Sequence, residues 1–372
     1  MEKPVSLASG YGNFAVPSVA LEAATAALTN AQQRQGPLAV SPIAGQPELR
    51  EALAQRYRQR GAAVAAEQVV ITGGAKTGLF ALLSEMLQPG DEVLLPTPNW
   101  FGFFELVRRA GGQLRTLPLA AADNYALSPE TLRAALTPAT RVLVVSNPNN
   151  PTGRVYSRAE WTAVLAVTAE FPQLWVLSDE IYEGISFGAA PVPTLLAWPD
   201  PHQRHVVVSG FSKSLALAGW GVGCLVAPPA LAHAVAARLF STSAAVPIPA
   251  QAAALAATLH ADAISGALCA QLSKTRQLLM AGLAALPGAA ARTAPEGTYY
   301  VFADFTRFLD SQLPPAEASA QLVQRLAAAG VEVVDGATCG APGFVRLSYA
   351  VDEGVLRTAL ARLRQALTLL VV

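Results

Sequence analysis

Apolar positions in the first part of the chain fall in short unbroken runs, not in alternation. Val69-Val70-Ile71, Val93-Leu94-Leu95, Val142-Leu143-Val144-Val145, Trp175-Val176-Leu177, Val206-Val207-Val208 and Cys224-Leu225-Val226 are such runs. Runs of this kind read as strands covered on both faces of a mainly parallel sheet. With the more polar Gln113–Leu117, the pattern predicts seven strands, at 68–72, 93–95, 113–117, 141–146, 174–178, 206–208 and 223–227. The intervening stretches are largely helical in spacing. Leu49, Leu53 and Tyr57 share one face behind Pro47-Glu48, and a helix over 78–87 stops at Pro89-Gly90.

From about residue 230 the pattern changes to long Ala/Leu-rich helices, interrupted at Val246-Pro247-Ile248-Pro249. Strands at 299–303 and 344–348 then alternate with helices at 316–329 and 353–368. The expected fold class is α/β: a large domain over 36–250 with a seven-stranded, mainly parallel sheet between helices. A smaller α+β domain follows over 251–372, and an N-terminal arm and helix, 1–35, is expected to pack with it.

Composition narrows the partners. The 372 residues are 52% hydrophobic and 14% charged, which suits a large core. Lys+Arg is 26 and Asp+Glu is 26, so there is no net charge for nucleic acid or an anionic membrane to attract, and neither partner is expected. No apolar run reaches the length of a membrane helix. Met1-Glu2-Lys3-Pro4 lacks a signal-peptide pattern, and a cytoplasmic location is expected. Cys224, Cys269 and Cys339 are widely spaced, which argues for reduced thiols and against a metal site.

Candidate chemistry lies at the strand ends, where open α/β sheets bind ligands. The first strand is followed by Gly73-Gly74-Ala75-Lys76-Thr77 opening a helix, the second by Pro98-Asn99-Trp100. The fourth is followed by Asn147–Gly153, the fifth by Asp179, Glu180 and Tyr182, the sixth by Ser212-Lys213. This set meets the needs of pyridoxal 5′-phosphate. Asp179 can keep the ring nitrogen protonated. Lys213, poorly solvated after its strand, is an amine for the aldehyde. Tyr182 and Asn150 can donate to the phenolate oxygen, and Trp100 can stack on the ring. Gly74, Ala75 and Lys76 offer a helix N-terminus to the phosphate.

The motifs Asn150-Pro151-Thr152-Gly153, Ser178-Asp179-Glu180-Ile181-Tyr182, Ser212-Lys213 and Phe344-Val345-Arg346-Leu347-Ser348 occur in one order. Ala44–Arg50 and Pro295–Tyr300 extend the pattern over nearly the whole chain. Together they resemble the fold-type I aminotransferases, class I/II, of the aspartate aminotransferase group. The resemblance implies transfer of an amino group between an amino acid and a 2-oxo acid, through a Schiff base at Lys213. It implies that Lys213 also moves the substrate's Cα proton and that Ser212 contributes to the cofactor site. Arg346 would grip the substrate α-carboxylate, with Gly10 of the arm beside it. Lys76 would stand where some relatives bind a distal carboxylate. A homodimer with active sites between subunits is implied as well.

Three positions depart from the family pattern, all on the phosphate side. Gly221 stands where an arginine is usual, Gly210 where many members have serine, and Val40 where a tyrosine reaches the neighbouring subunit's phosphate. In the arm, Gly10 is followed by Tyr11-Gly12-Asn13-Phe14 in place of the usual acidic residue and proline, and Tyr11 and Asn13 are expected to line the substrate pocket. These departures leave two alternatives beside transamination. One is another reaction of the same cofactor: elimination or replacement, cyclisation or oxidation. The other is a repurposed fold with weakened or lost phosphate binding. A non-catalytic regulator module would carry a DNA-binding segment ahead of the arm, which is not expected here.

Overall fold

The computed structural model describes residues 3–33, 38–286, 288 and 293–368. The arm carries β1 (Val5–Ser6) and leads to α1 (Ser18–Gln33) and α2 (Pro47–Gln59). The central region then runs β2 (Val69–Thr72), α3 (Ala75–Met86), β3 (Glu92–Thr97), α4 (Gly102–Arg109) and β4 (Gln113–Pro118). It continues with α5 (Pro129–Ala135), β5 (Thr140–Ser146), α6 (Arg158–Thr168), β6 (Trp175–Asp179), β7 (His205–Gly210) and β8 (Gly223–Val226). Three helices follow, α7 (Pro229–Thr242), α8 (Ile248–Leu259) and α9 (Ala261–Ala284). The last stretch is β9 (Tyr300–Asp304), α10 (Pro315–Ala328), β10 (Val331–Glu332), β11 (Val334–Asp335), β12 (Phe344–Ser348) and α11 (Glu353–Thr368).

Seven strands form one sheet in the order β2-β8-β7-β6-β5-β3-β4. The strands are parallel except β8, which runs against both β2 and β7. The unbroken apolar runs have the reason expected of them, since successive side chains point to opposite faces. Along β5, Leu143 and Val145 enter the core beneath α2, α6 and α8, while Val142 and Val144 enter the core beneath α3, α4 and α7. Helix starts are set locally. Ser157 and Glu160 form a capping box on α6, and Ser128 caps α5 ahead of Pro129. By contrast α3 has Gly74 at its N-cap, with φ +88° and no side-chain hydrogen bond to the helix.

A third core joins α9, α10 and α11 to the antiparallel sheet β11-β12-β9. The arm enters this unit through β1, which pairs with β10 in parallel, and through the fully buried Leu7. Helix α1 packs against α8, which falls largely within the expected 251–372. Its Ala20 and Ala24 belong to the large core with Ala253, Ala254 and Ala257 of α8, not to the smaller unit. Small side chains on both helices allow that close approach. The core also changes later than 250/251: α8 is wholly on the large side, and the switch falls along α9 between Ile264 and Cys269. The 35/36 boundary lies outside the described residues. Among the described residues no single helix is long and apolar enough to cross a membrane.

Candidate active site

Residues at the ends of β3, β5, β6 and β7 and the start of α3 come together near Lys213 and the arm. Lys213 stands in the turn after β7. Its turn is tied to the segment after β6 by Ser214, whose hydroxyl donates to the Ile181 carbonyl and accepts from the Gly184 N–H, both at 3.2 Å. Lys213 Nζ donates to the Gly10 carbonyl at 2.5 Å and lies 3.9 Å from the centre of the Tyr11 ring. The same carbonyl accepts from the Tyr299 and Tyr300 hydroxyls at 2.8 and 3.2 Å. Burial pushes the Lys213 amine down to about 8, the charges of Arg346 and Lys76 add to this, and Asp179 pulls the other way. Roughly a fifth of the amine is therefore neutral at pH 7.4, far more than for an ordinary lysine.

Asp179 closes β6, half-buried, with Oδ1 accepting from the Ile181 N–H at 3.2 Å. Burial raises its carboxyl to about 6, with Glu180 adding; the Ile181 N–H and Lys213 hold it down in part. Glu180 turns the other way, fully buried, onto Arg60 at 3.3 Å and the Leu195 N–H at 2.9 Å. The pair of carboxylates at the end of β6 thus faces two environments. One is neutralised by the protein and the other is left for a ligand.

Arg346 enters from β12 and is 3% exposed. It donates to Asn150 Oδ1 at 3.1 Å and to the Ala8 carbonyl at 3.0 Å, and its guanidinium lies 4.2 Å from the centre of the Tyr300 ring. Its Nε is buried without a partner, and among the described residues no carboxylate pairs with it. A buried guanidinium lacking a counter-charge is costly, so this is a site for an anion. Tyr182, buried beside it, shares a 2.9 Å hydrogen bond with Tyr300, and burial pushes its hydroxyl well up, which keeps it a donor.

Trp100 follows β3, packed edge-on against Phe103, with Lys76 Nζ 5.5 Å from its ring centre. Lys76 is exposed in the first turn of α3. That helix begins at Ala75, earlier than the expected 78, so Gly74, Ala75 and Lys76 are its cap and first turn. Ser212 is half-buried beside Lys213. The sequence-predicted residues therefore converge: Lys213 with Gly10, Tyr11, Asp179 and Lys76, and Arg346 with Asn150 and, through Tyr300, Tyr182. What the sequence reading missed are Tyr299, Tyr300, Ser214 and the Ala8 carbonyl. The signals for the tyrosines are their place in the Pro295–Tyr300 motif and a pair of hydroxyl-bearing rings at the start of a strand.

Pyridoxal phosphate suits this donor set at its ring end: a neutralisable amine, a carboxyl without a cation of its own, a protonated phenol and an unpaired guanidinium. The family model for aminotransferase class I and II matches residues 2–363. The chain belongs to the class I and II aminotransferases. This aminotransferase is 37% identical to the probable aspartate/prephenate aminotransferase of Thermus aquaticus, over 98% of this chain and 91% of that one. It is 31% identical to an aspartate aminotransferase of Rhizobium meliloti, over 98% of this chain and 89% of the other. Among solved structures, a double mutant of Thermus thermophilus aspartate aminotransferase superposes with a TM-score of 0.88 at 35% identity, covering 98% of this chain and 92% of that one. The aminotransferase uses pyridoxal phosphate and moves an amino group between an amino acid and an oxo acid. The fold is that of the fold-type I enzymes, as the order of motifs implied.

Proposed function

We propose that the enzyme transfers the amino group of dicarboxylic amino acids, and that Lys213, Asp179, Arg346 and Lys76 divide the work. Among the described residues, Arg346, buried, and Lys76, at the rim, lack a carboxylate partner, and these two cations at different depths carry this reading. Their separation in depth suits a substrate with an α-carboxylate and a distal one. The relatives named as aspartate and aspartate/prephenate aminotransferases support it.

Bound pyridoxal phosphate supplies an aldehyde for the nitrogen and a ring that draws electrons from the substrate's Cα. The chain's residues do the rest. Arg346 takes the α-carboxylate in a forked contact and so fixes the face on which Cα presents its proton. Lys213 Nζ removes that proton, its lowered basicity matching the operating pH. The resulting ammonium is held by the Gly10 carbonyl. Asp179 supplies the negative charge that keeps a ring nitrogen protonated. Tyr182 and Asn150 would donate to the phenolate oxygen, and Trp100 would cover a ring face. Gly74, Ala75 and Ser212 line the phosphate end. Tyr11 walls the substrate side of Lys213.

The test is a substrate panel. Lys76→Ala should lower kcat/KM for aspartate and glutamate about tenfold to a hundredfold, the worth of a charge-assisted hydrogen bond. Alanine as donor should change by less than about threefold. Equal losses on all three would contradict a distal-carboxylate role.

We also propose a homodimer. Val40 is 91% and Phe240 77% exposed, and Phe80 and Phe101 are exposed as well. A partner subunit that covered these side chains together would remove them from water, since a contiguous apolar patch is what marks an interface. Sedimentation should give twice the chain mass at micromolar concentration, and a monomer there would contradict this.

A further inference from the structure

The site has a second end, away from Arg346, where α3, the end of β7 and the start of β8 meet. Glycines form its walls. Gly223 is pressed against α3: a Cβ there would lie 2.4 Å from the Ala75 nitrogen. Gly210 is different, because a Cβ would make only ordinary contacts, 3.4 Å from Ile181 Cδ1 and 3.6 Å from Ala75 Cβ. Gly221, at φ +66°, has no atom within 4 Å of a Cβ position. So at two of three positions there is room for a side chain and none is present.

The nearby cations are engaged elsewhere. Lys213 is the reactive amine, and Lys76 lies over the Trp100 ring. Arg56 and Arg60 stand behind the Ser209-Gly210-Phe211 wall, where they line a small cavity of about 30 Å³ with those residues. Arg56 is paired with Glu183 at 3.2 Å and Asp262 at 2.9 Å, and Arg60 with Glu180 at 3.3 Å. Among the described residues, no guanidinium faces this end of the site from the front. Among the described residues of this chain, a dianion placed here would meet main-chain N–H groups and hydroxyls, with the exposed Lys76 in the first turn of α3 as the nearby cation.

We propose that this enzyme holds its cofactor chiefly by the ring and the Lys213 bond, and that it accepts the unphosphorylated aldehyde, pyridoxal, nearly as readily as pyridoxal phosphate. The inference rests on the placement of the ring between Lys213 and Asp179 proposed above. Each charge-assisted hydrogen bond to a phosphate is worth about tenfold to a hundredfold in affinity. Removing the side-chain cations removes most of the discrimination between the two aldehydes. Either one condenses with the Lys213 amine in the same way: a C=N bond forms, the aldehyde oxygen leaves as water, and borohydride reduces the product to a secondary amine.

The test titrates cofactor-free protein with pyridoxal phosphate and with pyridoxal, following visible absorbance, and then fixes each with borohydride for peptide mass analysis. The two dissociation constants should differ by less than about tenfold; a larger ratio overturns the proposal. Gly210→Ser, which needs no backbone change, should tighten pyridoxal phosphate roughly tenfold and leave pyridoxal unchanged. Gly221→Arg serves as the second variant, expected to act in the same sense despite its positive φ. Equal effects on both aldehydes would overturn the inference. Absence of fixation at Lys213 by either aldehyde is a separate failure, and overturns the placement of the ring itself.

Discussion

Lys213→Ala enzyme is expected to lose amino transfer by at least about 10⁴-fold while keeping its fold. The side chain has two duties, as the amine that bonds the cofactor and as the base that takes the Cα proton. General acid–base catalysis alone contributes about 10²–10⁴-fold, and loss of the nucleophile adds to it. Stability should hold, because the Gly10 carbonyl that loses Nζ keeps the Tyr299 and Tyr300 hydroxyls. Removing the amine also relieves its repulsion with Arg346 and Lys76. Single-turnover kinetics with aspartate measures the loss. Small external amines should restore part of the proton transfer, which a merely structural lysine would not allow. In the wild type, attachment of the aldehyde should speed up with pH and level off above about 8, because only the neutral amine attacks. A rate still climbing at pH 10 would contradict the lowered amine.

Asp179→Asn is expected to move activity and stability in opposite directions. An asparagine cannot supply the charge that keeps a ring nitrogen protonated, and losses of about 10²–10³-fold are typical when one such electrostatic partner is removed. The cofactor-free variant should nevertheless be more stable than wild type at neutral pH. Burial raises the Asp179 carboxyl from 3.8 to about 6. Between those values the folded state binds more protons than the unfolded state, so stability falls as pH rises through this window. Above about 6 the penalty is complete, on the order of 3 kcal/mol, and asparagine escapes it. Melting curves of the cofactor-free proteins at pH 4 and pH 7.5 check this. The two should agree at the lower pH and diverge at the higher one; a variant that melts no higher than wild type at pH 7.5 would contradict the raised carboxyl.

Much of this was legible in the chain because it follows from side-chain chemistry at strand ends. The runs around Val142–Val145 and Val206–Val208 are apolar on both faces, which a sheet between two helix layers requires. Asp179, Lys213 and Trp100 follow such runs directly, so the sheet delivers them to one edge. Other features leave no such trace. The two-residue strands β1, β10 and β11 exist only through tertiary pairing. Helix α1 presents an alanine stripe, and alanine does not say which core it faces. The acceptors that hold Lys213 and Arg346 are the carbonyls of Gly10 and Ala8, which every residue possesses. Tyr300 joins Gly10, Tyr182 and Arg346, yet reads in sequence as an ordinary strand tyrosine. Ser214 fixes the lysine turn through two hydrogen bonds that any serine could make.

The most direct measurement follows the nitrogen. Enzyme loaded with pyridoxal phosphate is mixed with one equivalent of ¹⁵N-aspartate, and 2-oxo acid, ammonia and protein-associated nitrogen are quantified. Expected is about one equivalent of 2-oxo acid per site, no ammonia, and label retained by the protein until a second oxo acid is added, which then leaves as the labelled amino acid. Labelled ammonia in place of a labelled amino acid would contradict amino transfer at this site.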